Sequence, residues 1–496
     1  MMQVNRAMIE PGETPSPPAR RAGGHAVWFL RMGLFLLGWA GVEWVFDSAW
    51  KAQMDWQPFQ QHANKTMWAY EAASAGDVML GDWLTGSYTA DQLADRLREE
   101  YRDVLSQPGT EWLGTELALV LHRVAVGAED PSWSADRLEE AKEWMESQPK
   151  WTESDVQEHV RKLLRGEKWE GEEKATLSKL RTEWPEWWTI HHLGHQGLDG
   201  GKSTSELPAP AHAALRDLQL THFMSQLAAL LGLAGIAVWF WLMKDTAGER
   251  RSIARLAGLW KPERMIIAFA ASSLFAKAAI TIFAQTEGLS FNWLLGEGMP
   301  AWWLGQAANQ LFHLVLTAFP AYVLLAGYVR KWRWYAPVLQ LRAREFRSPR
   351  LWLKAWCLAG LILTATTGVS MLLEVYSTPS GVADWVSRSM YGWGDLALPL
   401  ALFWGAVVAP LVEEVIFRGL LFRSLRNRFQ APVACLISSL IFAASHGYSL
   451  VGFVSVLLMG AAFCWIYHRS GSLALAIMTH SGINMWFAMH DFIWLG

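Results

Sequence analysis

The sequence predicts an all-α membrane protein, a polytopic bundle of about nine transmembrane helices with a soluble helical extracytoplasmic domain inserted after the first span. Three observations carry that expectation. Apolar runs of roughly 20 residues, the length that crosses a bilayer, recur along the chain. Between the first two of them residues 47–221 are polar, with 31 Asp and Glu against 18 Lys and Arg. A chain of 496 residues with a net charge of only −3 is thus divided into an acidic domain at −13 and a remainder at +10.

Residues 1–24 are rich in Pro, Gly and Arg without apolar periodicity, and are expected to be a disordered cytoplasmic tail. Residues 25–46 contain AVWFLRMGLFLLGWAGVEWVF, too long for a signal-peptide core and without a small-residue cleavage site. They are expected to stay as the first transmembrane anchor, with Arg31 and Glu43 snorkelling to the headgroups.

Within 47–221, segments such as TADQLADRLREEYRDVL, TELALVLHRVAV, SADRLEEAKEWME and SDVQEHVRKLL repeat apolar residues at three- and four-residue spacing. Several begin with Thr or Ser in capping position, and Pro108, Pro131, Pro149 and Pro185 punctuate them. His191, His192 and His195 (HHLGH) resemble metal-ligand spacing but lack a carboxylate at a persuasive offset, so they read as a surface helix end. Trp184, Trp187 and Trp188 read as core or membrane-surface contacts.

From residue 222 apolar runs return, near 222–243, 264–284, 306–329, 351–374, 394–420, 431–447, 449–467 and 472–490. Those within 222–345 have no assigned role; those within 346–496 hold the polar residues of interest. Every second connection is basic: Lys244, Arg250, Arg251, Arg255 and Lys261, then 330–350, then Arg423, Arg426 and Arg428, then Arg469. The alternate connections (285–305, 375–393 and the turn near 448) hold only Arg388. By the positive-inside rule the N-terminus is cytoplasmic, and the domain and C-terminus are extracytoplasmic.

The stretch LVEEVIFRGLLFR, residues 411–423, organises the C-terminal part. Glu413 and Glu414 interrupt a run that is apolar back to Leu396, where an unpaired charge costs roughly 2.5–3.5 kcal/mol on insertion scales. Arg418 follows Glu414 by four residues and can pair with it on one helix face. Glu413, turned about 100° away, is left for another task. At about 1.5 Å per residue Glu413 lies roughly 15 Å from the cytoplasmic side, His480 and Asn484 roughly 12–18 Å, and His446 roughly 22 Å. With helix tilt all four can share one layer. Singly, each has a structural account as an interhelical hydrogen bond or buried pair. Together they form a plausible water-activating site. Lys277, Gln306, Asn309 and His313 have no assigned partner and read as interhelical contacts or cavity lining.

EEVIFR, FAASH and HSGIN match the EExxxR, FxxxH and HxxxN motifs of the CPBP family, in the family's order. About residues 350–490 thus resemble the type II CAAX prenyl endopeptidases and the bacteriocin-processing and immunity proteins. The resemblance implies an intramembrane endopeptidase in which Glu413 activates water with His446, His480 and Asn484 stabilise the oxyanion, and Glu414 and Arg418 are the structural pair. It implies membrane-embedded or membrane-associated peptide or protein substrates in the lipid bilayer, prenylation being left open. It says nothing of a partner for the large domain.

No cofactor is expected to be required, although Zn²⁺ held by Glu413, His446 and His480 stays open, the family having been described both as metalloproteases and as glutamate-dependent enzymes. Cys357, Cys435 and Cys464 lie in apolar runs, so neither a disulfide framework nor a CxxC site is expected. HExxH, GxGxxG and Walker sequences are absent, and nucleic acid is not an expected partner. The alternative from another class is a non-catalytic scaffold or immunity-type protein that binds a partner through its domain. A transporter is weaker, for lack of a paired inverted half.

Overall fold

The computed structural model describes residues 23–51, 57–75, 90–105, 113–127, 131–147, 155–183, 187–199, 209–244, 261–285, 341–374, 402–448 and 450–495, with isolated positions between 315 and 323. The tail before residue 23, most of the expected span at 306–329 with Gln306, Asn309 and His313, and Arg388 lie outside these. Among the described residues the fold is helical, with no strand.

Helix α1 (Gly23–Lys51) covers the segment expected as the first anchor. The domain follows as α2 (Gln57–Ser74), α3 (Ala90–Leu105), α4 (Leu113–Gly127), α5 (Pro131–Ser147), α6 (Asp155–Arg165), α7 (Gly171–Glu183) and α8 (Trp188–Gly197). Its apolar spacing does what the sequence suggests. In α3, Leu93, Leu97, Tyr101 and Val104 recur at three- and four-residue intervals and are all buried. They share one core with Phe59, Met67, Leu117, Leu121 and Trp188.

The reading of HHLGH as a surface helix end needs correction. His192 is buried, stacks on Trp188 with ring centroids 5.1 Å apart, and meets His122 Nδ1 through its Nε2 at 3.2 Å. Carrying aromatic surface and one satisfied polar atom, an imidazole at this position serves as core material. Among the described residues no group of three or more His, Cys, Asp or Glu side chains is arranged to hold a metal ion.

Helix α9 (Ala209–Met243) joins the domain to the membrane body. Ala211, Ala214 and Leu215 belong to the domain core, while Leu230, Leu233 and Phe240 are each about two-thirds exposed (64%, 65% and 67%), as expected of side chains facing lipid. The passage from domain to span is therefore a change of surroundings along one unbroken helix.

The membrane body adds α10 (Pro262–Gln285), α11 (Pro349–Glu374), the motif helix α12 (402–426), α13 (Ala431–Ala444), α14 (Leu450–Ser470) and α15 (Leu473–Leu495). Among the described residues three helices are long and apolar enough to cross a membrane, at Ala209–Met243, Pro349–Leu373 and Leu450–Ser470. Ala26–Val42 and Ala431–Ala444 are shorter apolar helices. Nine spans remain the reading of the sequence.

Small residues bring α9 and α11 into close contact. A Cβ on Gly235 would overlap the carbonyl oxygen of Cys357, and one on Gly360 would lie 2.7 Å from that of Ala228. On the other flank α1 and α10 pack against α12, sharing a core of Trp28, Trp39, Ile266, Phe269, Phe417 and Leu421. Glu263, at the start of α10, accepts from Trp28 Nε1 and, at 2.9 Å, from Arg428 Nη1. The domain rests on the end of the last helix: Lys65 of α2 donates to the Ile493 carbonyl at 3.0 Å and pairs with Asp217 of α9 at 2.8 Å. The domain and the end of α15 therefore occupy the same end of the bundle. The three cysteines are free and buried.

Candidate active site

The site is built on α12, which is not uniformly α-helical. Leu402–Val408 and Val415–Phe422 are π-helical, and the α-helical turn Ala409–Glu414, with Pro410 near its start, lies between them. Proline at position 410 has no N–H to give the preceding turn, which fits a local change of winding there. Glu413 and Glu414 end the α turn, so the change of winding sets which way each points.

Glu414 is completely buried, and its Oε1 accepts from Arg418 Nη1 at 2.7 Å, the pair expected from the spacing. The same oxygen also meets His480 Nδ1 at 3.0 Å. This second link was not legible in the sequence, where face analysis matched Glu414 only to its own helix. Arg418 in turn donates Nη2 to the Gly460 carbonyl at 2.9 Å, and its guanidinium lies over the rings of Phe442 (4.5 Å) and Phe463 (5.3 Å). Gly460 is required for this approach, because a Cβ there would sit 3.0 Å from Phe442 and 3.3 Å from Arg418 Nη2.

Tautomers follow from these partners. A backbone carbonyl only accepts, so His446 Nδ1, at 2.7 Å from the Phe442 carbonyl, is the donor and Nε2 is the nitrogen left for the site. His480 likewise spends Nδ1–H on Glu414, leaving Nε2 to face Glu413 Oε2 at 3.8 Å. The His480 ring is held flat against Phe463, with centroids 4.6 Å apart. Each histidine thus has one nitrogen anchored and the other presented, an arrangement that fixes ring orientation.

The layer closes through aromatic contacts. Phe417 of α12 meets Phe442 of α13 with centroids 5.0 Å apart, which sets His446, four residues beyond Phe442, level with Glu413, four residues before Phe417. Phe442 also touches His480 edge-on at 6.0 Å. One turn further along α15, Asn484 Nδ2 donates to the Gly405 carbonyl at 2.7 Å, within the first π segment of α12. One of its two N–H groups ties the last helix to the motif helix, and the other is not needed for that bond.

Glu413, 29% exposed at its side chain, is the one carboxylate of the pair that touches an open part of the site. Glu413, His446 and His480 are all described, yet they do not form a group able to hold a metal ion.

Comparison with known proteins agrees with the motifs. Residues 395–486 match the family described as Type II CAAX prenyl endopeptidase Rce1-like. The Membrane-embedded CAAX protease MroQ of Staphylococcus aureus is 28% identical over 145 residues, covering 27% of this chain and 57% of its own length. YdiL of Bacillus subtilis is 28% identical over 130 residues (26% of this chain, 52% of its own), and the UPF0177 protein YxdF of Lactococcus lactis is 32% identical over 80 (16% and 43%). The chain spans about half the length of these curated relatives, and the family match at residues 395–486 leaves the helical domain uncovered. No solved structure matches it significantly. With three motifs in order and a family match across the helices that bear them, the C-terminal part of this integral membrane protein is similar to the CPBP family of membrane proteases, which includes the type II CAAX prenyl endopeptidases.

Proposed function

We propose that the membrane body is an endopeptidase that hydrolyses peptide bonds of membrane-embedded or membrane-associated substrates, CAAX-like sequences among them. The observation that supports this most is the unequal treatment of two adjacent carboxylates. Glu414 is closed off by Arg418 and His480, while Glu413 faces the Nε2 of an oriented histidine across 3.8 Å. That gap is too long for a direct hydrogen bond and leaves a Glu413 oxygen open to accept from a water.

In this reading Glu413 accepts a proton from water as its oxygen adds to the scissile carbonyl carbon, and His446 Nε2 shares in holding that water. The carbonyl oxygen becomes an oxyanion, which the free N–H of Asn484 and, when protonated, the Nε2–H of His480 stabilise. Glu413 then passes its proton to the leaving nitrogen as the C–N bond breaks, giving a carboxylic acid and an amine. Glu414 and Arg418 hold the framework, and Glu414 also orients His480. These steps use protein groups and water alone.

The Lys and Arg alternation supports an N-terminus in the cytoplasm, with the domain and C-terminus outside. We assign the domain a role in recruiting or excluding substrates at that surface. The test is peptide mapping by mass spectrometry, after the purified full chain is reconstituted with a library of membrane peptides. Internal cuts should appear with the native enzyme and vanish in a folded Glu413→Gln variant. Identical cutting by both would overturn the assignment, and no cutting by either would favour a scaffold.

A further inference from the structure

The domain reaches the helix that carries half of the candidate site. Lys65 of α2 donates to the Ile493 carbonyl at 3.0 Å and pairs with Asp217 of α9 at 2.8 Å, both charged side chains being largely withdrawn from solvent (20% and 14% exposed). Ile493 lies in the last turn of α15, where a backbone carbonyl has no partner within its own helix and the helix dipole places negative charge. An ammonium answers both. Lys65 thus caps α15 from a helix 428 residues away in the chain, and Asp217 holds the ammonium there.

The opposite end of α15 is tied as well: Ser472 Oγ donates to Glu345 Oε2 at 2.6 Å and accepts from the Leu475 N–H at 3.2 Å. Between these ties α15 is unbroken helix. Asn484 stands twelve residues after Ser472 and nine before Ile493, about 18 and 14 Å of rise. Its bond to the Gly405 carbonyl crosses to the motif helix, so its direction depends on α15 neither tilting nor rotating. Lys65 and Ile493 both lie outside residues 395–486, which match the protease family.

Resting on the hydrolase reading, we propose that Lys65 is a positioning residue, through which the domain sets α15 so that the second N–H of Asn484 meets the oxyanion. This goes beyond recruitment. A domain that only recruits substrate acts on KM, whereas one that aligns an oxyanion donor acts on kcat.

The experiment measures kcat and KM, on a membrane peptide that the native enzyme cleaves, for the full-length protein with Lys65→Met or Lys65→Arg, each with and without Asn484→Ala. A chain ending at His490, which lacks the acceptor, is measured beside them. Lys65→Met should lower kcat about threefold to tenfold, a part of the roughly tenfold to hundredfold that one charge-assisted hydrogen bond is worth, with KM changed by less than about twofold. Lys65→Arg keeps a cation and its donors and should recover most of the rate, and the shortened chain should match Lys65→Met. Beside Asn484→Ala, Lys65→Met should cost almost nothing further, because the donor it aligns is gone. Undiminished kcat in either Lys65→Met or the shortened chain overturns the assignment, so one folded variant of the two decides it. An equal loss with and without Asn484 also overturns it, as does a change in KM alone.

Hydrogen exchange of the same proteins needs no substrate. Lys65→Met should speed exchange in α15 from Asn484 onward and in Leu402–Val408, and a change confined to residues after His490 overturns the coupling. If the native chain cuts no peptide, the endopeptidase reading fails, and the exchange result still decides whether Lys65 sets α15.

Discussion

In the helical domain Glu140 meets Arg98, Arg102 and Arg137 at 2.9, 2.6 and 3.2 Å, and Glu71 grips Arg123 through two parallel hydrogen bonds of 2.8 and 2.7 Å. In the membrane body Glu413 and Glu414 are neighbours in sequence, yet one is sealed and the other is left facing a gap. Water can reach the domain's surface and screen imperfect pairs, so its networks are redundant and an individual bond matters little. The bilayer offers no such screening, and a charge left open there costs enough that it persists only with a use. An open carboxylate is therefore informative in the membrane body in a way that it is not in the domain.

The comparison breaks first at Glu413. Replacing it by Gln keeps volume and removes the proton acceptor, so cleavage should fall by about a hundredfold to ten-thousandfold with the thermal midpoint nearly unchanged. A well-folded variant that still cuts at the native rate would dissolve the distinction between the two carboxylates. Glu414→Gln should fail in the opposite way. It leaves Arg418 buried without its counter-charge, a loss of about 3–5 kcal/mol to be read as lower yield and melting temperature. Because Glu414 also holds His480, any surviving enzyme should be slow as well, and a stable, fully active variant would show that the pair is dispensable.

Asn484→Ala sharpens the same contrast. Losing an oxyanion donor should lower kcat by about a hundredfold to a thousandfold while KM changes little. A rise in KM alone would limit Asn484 to its bond with Gly405.

The smallest effect belongs to the domain and is a matter of pH. Burial, with Arg123 beside it, holds His122 down at about 4, and burial holds its partner His192 well below the usual imidazole range. A depressed folded value means that the unfolded chain binds more protons between about 4 and 6.5, so stability present above 6.5 is lost as pH falls through that window. His122 alone accounts for up to about 3 kcal/mol of that loss. Burial pushes Glu116 the other way, up to about 7 against hydrogen bonds from Gln60 and Tyr101, and its contribution is lost as pH rises toward neutrality. Unfolding of the full chain in detergent at pH 7 and pH 4.5 should therefore differ less in His122→Phe than in the native protein. An unchanged difference would mean that His122 is protonated without penalty.

The helical class, the acidic insert, the membrane character and the identity of the motif residues were all legible in the sequence. Each depends on composition or on spacing within one segment, and helical periodicity converts such spacing directly into faces and depths. The Glu414 and Arg418 pair belongs here too, since four residues on one helix suffice to make it. What only the tertiary structure decided are contacts between segments far apart in the chain. Glu414 and His480 are 66 residues apart, and the phenylalanine contacts that level His446 with Glu413 join different helices. The π-helical winding of α12 reads as ordinary apolar helix in one dimension, and His192 reads as surface until Trp188 and His122 close around it. Lys277 acquires its place near the layer of Glu413 and His446 only through the antiparallel packing of α10 on α12. Periodicity fixes the direction in which a side chain leaves its own helix, and packing against other helices decides what it meets there.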